Sequence, residues 1–413
     1  MTYVVVGAGP AGVVAAETLS ERAKGREVVL IGGEAEPPYS RMAIPYVLTG
    51  LIGEAGTYLR KSADHYDSKG IKYVQGQLSR LSPEEKAITL EDGSRITYDK
   101  LLIATGSSPI KPPVSGLDLP GVHHCWTLDD ARSIMETADK GDPVLLIGAG
   151  FIACIILEAL VGRGVDLTVV EALDRMVPRM ADQIAGNMIK RWCEEKGLRV
   201  ETSTRVTSVQ QDGDGLLKVE MDNGKTSSAR LVVVAAGVRP NVGFLEGSGV
   251  KVEDGIVVNN RLETSVADIY AAGDCAEGPD FSSGGWSVQA IQPTAVDHGR
   301  IAALNMLGDE APFHGALVMN VLDTVGLVTA SFGAWDGVEG GESASQVDEN
   351  AFRYTRLNFS DDKLVGALSI GRTDHIGVLR GLIETKASLG AWKEKLKSDP
   401  NRITEAYIAC CQS

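Results

Sequence analysis

The chain has no C-x-x-C pair. Its six cysteines, at 125, 154, 193, 275, 410 and 411, show no spacing that suits an iron–sulfur cluster or a zinc site. No bound metal is expected, and a reducing, cytoplasmic setting is. A basic excess is also missing: 40 Lys and Arg stand against 55 Asp and Glu, for a net charge of −15. That balance argues against a nucleic-acid binder and suits a soluble protein with acidic faces. No basic leader precedes the apolar run that starts at Tyr3, so no signal peptide is expected. One run, Val144–Val161, approaches the apolar character of a membrane span. Gly148-Ala149-Gly150 and Glu158 interrupt it, and it reads instead as a buried strand followed by a helix.

Glycine, by contrast, is plentiful at 47 residues, and two groups of it are patterned. The β-branched run Tyr3–Val6 leads into Gly7-Ala8-Gly9-Pro10-Ala11-Gly12, and Val13–Leu19 continues with helical spacing. In such a strand–turn–helix unit the first glycine allows a tight turn and the second lets a pyrophosphate approach the backbone. The third lets helix and strand pack closely. Phosphate then sits at a helix N-terminus, where free N–H groups and the macrodipole favour negative charge. Glu27–Ile31 reads as the second strand. Gly32 occupies the position where an acid usually accepts hydrogen bonds from an adenosine ribose, which makes Glu34 the candidate for that role. In the loop that follows, Arg41 can pair with pyrophosphate through its planar fork, ahead of a helical stretch over Ile44–Leu51.

The same architecture returns over 143–171. Strand Pro143–Ile147 runs into Gly148-Ala-Gly150-Phe151-Ile152-Ala153, then a helix, then strand Leu167–Val170 ending at Glu171. A carboxylate there binds a ribose 2′-hydroxyl and repels a 2′-phosphate, which favours NAD(H) over NADP(H). At 413 residues the chain is expected to form two or three domains. Residues 71–103 read as strands, ending in Ala104-Thr105-Gly106, and the proline-rich segment 109–121 reads as a crossing between domains. Further signals are Ala236-Gly237 after the strand Leu231–Ala235, the run Ile269–Ala276 with Gly273-Asp274, and a helix beginning near Pro293. The last hundred residues are predicted to form strands over Leu317–Leu327, Arg353–Phe359 and Leu364–Ile370, then helical segments over Gly377–Leu396 and Arg402–Cys411.

Taken in order, Gly7-x-Gly9-x-x-Gly12, Ala104-Thr105-Gly106, Gly148-x-Gly150-x-x-Ala153, Ala236-Gly237-x-x-Pro240 and Ala272-Gly273-Asp274 resemble the pyridine nucleotide–disulfide oxidoreductase superfamily over residues 1–308. Within the superfamily the chain is most similar to the members that pass electrons to a protein acceptor, with Tyr39-Ser-Arg41 and Arg353–Lys397 resembling the last of the groups that follow. These include rubredoxin and ferredoxin reductases, the apoptosis-inducing-factor group and the flavin part of NADH-dependent nitrite reductase. The resemblance implies an α/β fold with two Rossmann-like dinucleotide-binding domains, the NAD domain (113–241) inserted into the FAD domain (1–112 and 242–315). An α+β interface domain (316–413) would follow. It implies FAD on Gly7, Gly9, Pro10, Ala11 and Gly12, with Glu34, Arg41, Thr105, Gly106, Gly273 and Asp274 around it. NAD(H) would lie on Gly148, Gly150, Phe151, Ile152, Glu171 and Gly237. The helix after Pro293 would aim its N-terminus at the flavin.

Three departures bear on function. Met42 stands where the single near-flavin Cys of some relatives would align, so thiol chemistry by that route is not expected. Tyr46 and Ile155 stand where many relatives keep a Lys–Glu ion pair, and the loss of both partners together avoids stranding a buried charge. Cys410-Cys411 is similar to the shuttle dithiol of mercuric reductase, but no internal redox pair is present to receive its electrons, and a frayed end is expected. His123-His124 lack ligand spacing, and Cys154 and Cys275 read as buried thiols. The expected activity is NAD(H):acceptor oxidoreduction by hydride transfer between nicotinamide and flavin, with no catalytic side chain named. The expected partner is an iron–sulfur or rubredoxin-type protein, either a carrier or a subunit of an aldehyde or 2-oxoacid oxidoreductase. Alternatives are a stand-alone NADH oxidase or small-molecule reductase, and an NADH-sensing binding protein of the apoptosis-inducing-factor type. The sequence leaves homo-oligomerisation open.

Overall fold

A computed structural model describes residues 1–372, 374 and 376–411, with Cys411 placed through its backbone alone. It contains two compact units. The first is built from Met1–Ile44, Ile52–Ser108 and Val238–Ala316, and the second from Pro45–Leu51, Pro109–Gly237 and the chain from Leu317 onwards.

In the first unit five strands form a parallel sheet in the order Ile269–Ala271, Lys100–Ile103, Thr2–Val6, Glu27–Gly32, Ile71–Gln75. The sheet is buried on both faces, which is why Tyr3–Val6 and Val28–Ile31 read as unbroken apolar runs. Helix Pro10–Arg22 carries its proline in the first turn, where no intrahelical N–H is needed. Beside Val13 and Leu19, its buried residues are the small Ala11, Gly12, Ala15 and Ala16. That lets helix Gln292–Leu307 approach backbone to backbone, and a Cβ on Gly299 would lie 2.1 Å from the Ala11 carbonyl oxygen. An antiparallel trio, Leu78–Ser82, Ala87–Leu90 and Arg95–Thr97, sits between the third and fourth strands of the chain path.

The second unit repeats this plan. Its parallel sheet runs Arg199–Glu201, Asp166–Val170, Pro143–Ile147, Leu231–Val234, Val122–His123. Another antiparallel trio, Val206–Gln211, Leu217–Met221 and Thr226–Ala229, lies here between the fourth and fifth strands of the chain path. Sequence reading had no strands there, although the alternation Leu217-Lys-Val-Glu-Met221 carried the signal. Pro45–Leu51 belongs to this unit as well, and Arg163 Nη1 donates to the Leu48 carbonyl at 3.1 Å.

Beyond Leu317 the chain forms an antiparallel sheet in the order Met319–Thr324, Leu327–Gly333, Lys363–Ile370, Arg353–Ser360, Glu342–Asp348. Two predicted elements divide here. The single strand expected over Leu317–Leu327 is a hairpin, because Val325 (φ 52) and Gly326 (φ 86) both take left-handed conformations that reverse the chain in two residues. The helical segment expected over Gly377–Leu396 is two helices, Ile376–Thr385 and Ala391–Ser398, broken where Lys386 (φ 51) and Gly390 (φ 51) leave helical space. Glu342–Asp348 was missed altogether. Its residues are mostly exposed and polar, so no buried alternation marks the strand.

Asp182 ties this sheet to the helix Gln183–Glu195. Its carboxylate accepts from the Ala185 N–H at 3.0 Å as the helix cap, from the Tyr354 hydroxyl at 2.7 Å and from Arg356 Nη1 at 3.1 Å. Asp182→Ala removes a cap, the acceptor of the buried Tyr354 hydroxyl and the carboxylate partner of Arg356. A loss of about 2–4 kcal/mol is expected, read as a lower urea midpoint. An unchanged midpoint would mean that the three contacts carry no net stability.

Candidate functional site

In the first glycine turn each position has its own physical reason. Gly7 has φ 110, and a Cβ on it would lie 2.0 Å from the Ala104 carbonyl oxygen. A Cβ on Gly12 would lie 1.8 Å from the Gly7 oxygen, so the third glycine is needed for packing. Gly9 is different, because nothing lies within 4 Å of the Cβ it lacks. It is also the N-cap of its helix and supplies no side-chain cap, so the first-turn N–H groups receive no cap from it. The turn therefore fits a pyrophosphate.

The second turn repeats the logic. Gly148 has φ 105 and would clash with the Ala235 oxygen at 2.5 Å, whereas Gly150 is open and caps the helix Phe151–Arg163 without a side-chain bond. Ala153 is fully buried at the third position, where a methyl is tolerated. Phe151 and Ile152 form the first helical residues, half-buried beside the open glycine. The Glu171 carboxylate is 7 % exposed and accepts from the Ala149 N–H at 2.6 Å and the Leu173 N–H at 2.8 Å. A carboxylate has about four acceptor sites, so it can brace the turn and still receive ribose hydroxyls. Arg175, which could have favoured a 2′-phosphate, is folded onto its own loop, with Nε on the Ala181 oxygen at 3.0 Å and Nη1 on Asp174 at 2.8 Å. Gly237 (φ 107) accepts from the Ile110 N–H at 2.9 Å through its carbonyl.

Around the first turn, Glu34 and Arg41 come together as an ion pair at 2.6 Å, and the Tyr39 hydroxyl also donates to Glu34. Arg41 reaches Asp274 electrostatically as well. Burial pushes the Asp274 carboxyl above the usual Asp range, while the Ser107 hydroxyl, donating at 3.0 Å, and Arg41 oppose that shift. Gly273 (φ 74) gives its N–H to His298 Nδ1 at 3.3 Å, and burial lowers the His298 imidazole to about 4, keeping that nitrogen an acceptor at neutral pH. Thr105 and Gly106 are stitched to Asn241. Thr105 Oγ1 donates to the Asn241 oxygen at 2.8 Å, and Asn241 returns its side-chain N–H to the Thr105 oxygen at 2.9 Å and its backbone N–H to the Gly106 oxygen at 2.9 Å. At the N-terminus of helix Gln292–Leu307, the Ser40 hydroxyl donates to Gln292 Oε1 at 2.6 Å, and no side chain caps the helix.

Ser107, Asn241 and His298 escaped the sequence reading. Each acts through a contact more than 20 residues away, for which local spacing carries no signal. Cys154 and Cys275 are buried, as expected, and burial raises both thiols. Burial likewise pushes Cys125 and Cys193 up to about 12, so these thiols stay protonated and poor as nucleophiles. Met42 and Tyr46 are exposed and Ile155 is half-buried. Of Cys410-Cys411, Cys410 Sγ lies 3.7 Å from the Leu389 oxygen, and the Cys411 side chain is outside the described residues.

Residues 1–299 match the family described as pyridine nucleotide-disulphide oxidoreductase. The chain belongs to that family. Residues 319–387 match the C-terminal domain of rubredoxin NAD+ reductase. The chain is 30 % identical over 402 residues to the epsilon subunit of NADH-dependent phenylglyoxylate dehydrogenase from Aromatoleum evansii, covering 96 % of this chain and 95 % of that one. It is 28 % identical over 313 residues to rubredoxin-NAD(+) reductase from Ectopseudomonas oleovorans, covering 76 % of this chain and 81 % of that one. Among solved structures, the ferredoxin reductase of the CYP199A2 system from Rhodopseudomonas palustris superposes with a TM-score of 0.83 at 26 % identity, covering 92 % of this chain and 93 % of that one. The protein is an oxidoreductase of the FAD- and NAD(H)-dependent kind, and the expected pair of Rossmann-like sheets with a C-terminal α+β portion is what its fold contains. Among the described residues no helix is long and apolar enough to cross a membrane.

Proposed function

We propose that this chain is the NAD(H)-reactive flavoprotein of an electron-transfer system whose other redox partner is an iron–sulfur or rubredoxin-type protein. The end-to-end likeness to a subunit of an NADH-dependent dehydrogenase of phenylglyoxylate, an aryl 2-oxoacid, is the observation that carries this reading. It favours a subunit of a larger 2-oxoacid or aldehyde oxidoreductase in the cytoplasm, with flow toward NAD+, over a stand-alone reductase.

In this reading residues 1–112 and 242–315 hold FAD, 113–241 hold NAD(H), and 316–413 form the interface for the partner. When bound, the nicotinamide exchanges a hydride with the flavin, and the flavin exchanges electrons singly with the partner. The chain's own part is positioning. The backbone at Gly9 and Gly150 receives the two pyrophosphates at uncapped helix N-termini. Glu171 orients the nicotinamide cofactor through its ribose and disfavours a 2′-phosphate, while the folded-back Arg175 offers that phosphate no partner. Asp274 holds the ribityl chain, and Ser107, Arg41 and His298 fix the turn and carboxyl that do so. Helix Gln292–Leu307 brings a positive dipole end to the flavin, where it favours the negative charge of the reduced ring. No side-chain acid or base is needed.

Anaerobic stopped-flow mixing of the holoenzyme with NADH is expected to bleach the flavin absorption within seconds. An oxidised rubredoxin or ferredoxin added afterwards should restore the colour at least tenfold faster than air. Absence of bleaching overturns the reading, and equal rates with air and carrier would move the assignment to an NADH oxidase.

A further inference from the structure

In the first unit the position that normally carries the ribose-binding acid is empty of side chain, yet its space is filled. Gly32 ends the second strand and is buried. A Cβ built on it would lie 2.1 Å from the Tyr73 hydroxyl, 2.9 Å from Tyr73 Cζ and 3.0 Å from the Ala8 Cβ. The phenol of the third strand occupies the volume that a side chain at position 32 would take. Ala8 is the middle residue of the Gly7–Gly9 turn, so the Tyr73 hydroxyl stands beside the phosphate-binding turn at the end of the second strand.

The register explains how it arrives. Tyr73 pairs with Leu30, two residues before Gly32, so its side chain shares their face of the sheet and leans along the strand toward the turn. The ring is held by stacking on Tyr66, with centroids 5.8 Å apart and planes at 26°. Burial, with Glu34 nearby, raises the Tyr73 phenol above its ordinary value, so the hydroxyl keeps its proton and can donate. Among the described residues no protein group hydrogen-bonds that hydroxyl. Glu34, two residues beyond Gly32, accepts from Arg41 at 2.6 Å and from the Tyr39 hydroxyl.

The geometry points to Tyr73 as the residue that hydrogen-bonds the adenosine ribose of FAD, in the slot a carboxylate fills in other dinucleotide folds. This rests on the assignment of FAD to the first unit. A phenol differs from a carboxylate in being neutral and able both to donate and to accept, so one residue can hold a ribose hydroxyl without adding negative charge beside the pyrophosphate.

The test compares wild type, Tyr73→Phe, Glu34→Gln and Gly9→Val holoenzymes. Flavin release on dilution is followed by the recovery of flavin fluorescence, and each protein is also reconstituted with FAD or with FAD whose adenosine is 2′,3′-dideoxy. Tyr73→Phe keeps the ring and its stacking, so the fold is retained. It is expected to weaken FAD about tenfold, the equivalent of one hydrogen bond of about 1.4 kcal/mol, and to shrink the preference for FAD over the dideoxy analogue by a similar factor. Glu34→Gln is expected to leave that preference intact. If Tyr73→Phe retains the full preference, or Glu34→Gln abolishes it, the inference is overturned and Glu34 holds the ribose. If Gly9→Val keeps its flavin as tightly as wild type, the assignment of FAD to this unit fails, a result distinct from either of these.

Discussion

Gly9→Val is expected to give a folded, colourless protein. Valine fits the N-cap backbone at φ −77, and nothing of the protein lies within 4 Å of the new Cβ. The side chain projects from the uncapped helix N-terminus, where a ligand would bind. Flavin affinity should fall at least about 100-fold, about 2.7 kcal/mol, while the unfolding midpoint of the flavin-free protein stays within a degree or two of wild type. Gly299→Ala makes the contrasting case. Its methyl would sit 2.1 Å from the Ala11 oxygen, in the contact that sets helix Pro10–Arg22 against helix Gln292–Leu307. Backbone must move to relieve that overlap, at about 1–3 kcal/mol for overpacking. Stability and flavin affinity should therefore fall together. Flavin content after purification and thermal melts of the flavin-free proteins separate the two patterns. A destabilised Gly9→Val protein would show that the open space has a structural role.

Glu171→Ala should cripple reaction with NADH while leaving bound FAD in place. The carboxylate is buried, receives the Ala149 and Leu173 N–H groups, and stands where the nicotinamide cofactor's ribose is expected. Its removal deletes the ribose acceptor and leaves two backbone donors of the turn unpaired. Charged hydrogen bonds of this kind contribute about 1.5–3 kcal/mol, so the NADH concentration for half-maximal bleaching should rise about 10- to 100-fold. With the negative charge gone, NADPH should lose far less, and the preference between the two should narrow. Because Arg175 is held by Ala181 and Asp174, the variant should not come to prefer NADPH. Stopped-flow bleaching with each nucleotide measures both. An unchanged NADH response would mean that Glu171 serves only to brace its turn.

The two predictions draw on different amounts of sequence information. Gly9 and Glu171 stand out in the sequence because a dinucleotide turn is local: strand, glycines, helix and acid fall within about 30 residues of one another. The order of the five motifs likewise points to the family. Paired glycine turns and unbroken apolar strands determine two parallel sheets, since only strands covered on both faces need such runs.

What the sequence could not supply is which distant side chain fills a space that glycine leaves. Gly32 looked like a missing acid, and Glu34 like its displaced substitute. Only the tertiary structure shows that parallel pairing of the second and third strands carries Tyr73, 41 positions along the chain, into that volume, and that Glu34 pairs with Arg41. The link of Asn241 to Thr105 and Gly106, and of His298 to Gly273, has the same origin. The hairpin at Val325-Gly326 and the polar strand Glu342–Asp348 were hidden for a related reason: one needed two left-handed residues, the other needed neighbours. Local propensity and period specify elements. The chemistry of a site built from several strands is fixed only when their register brings its groups together.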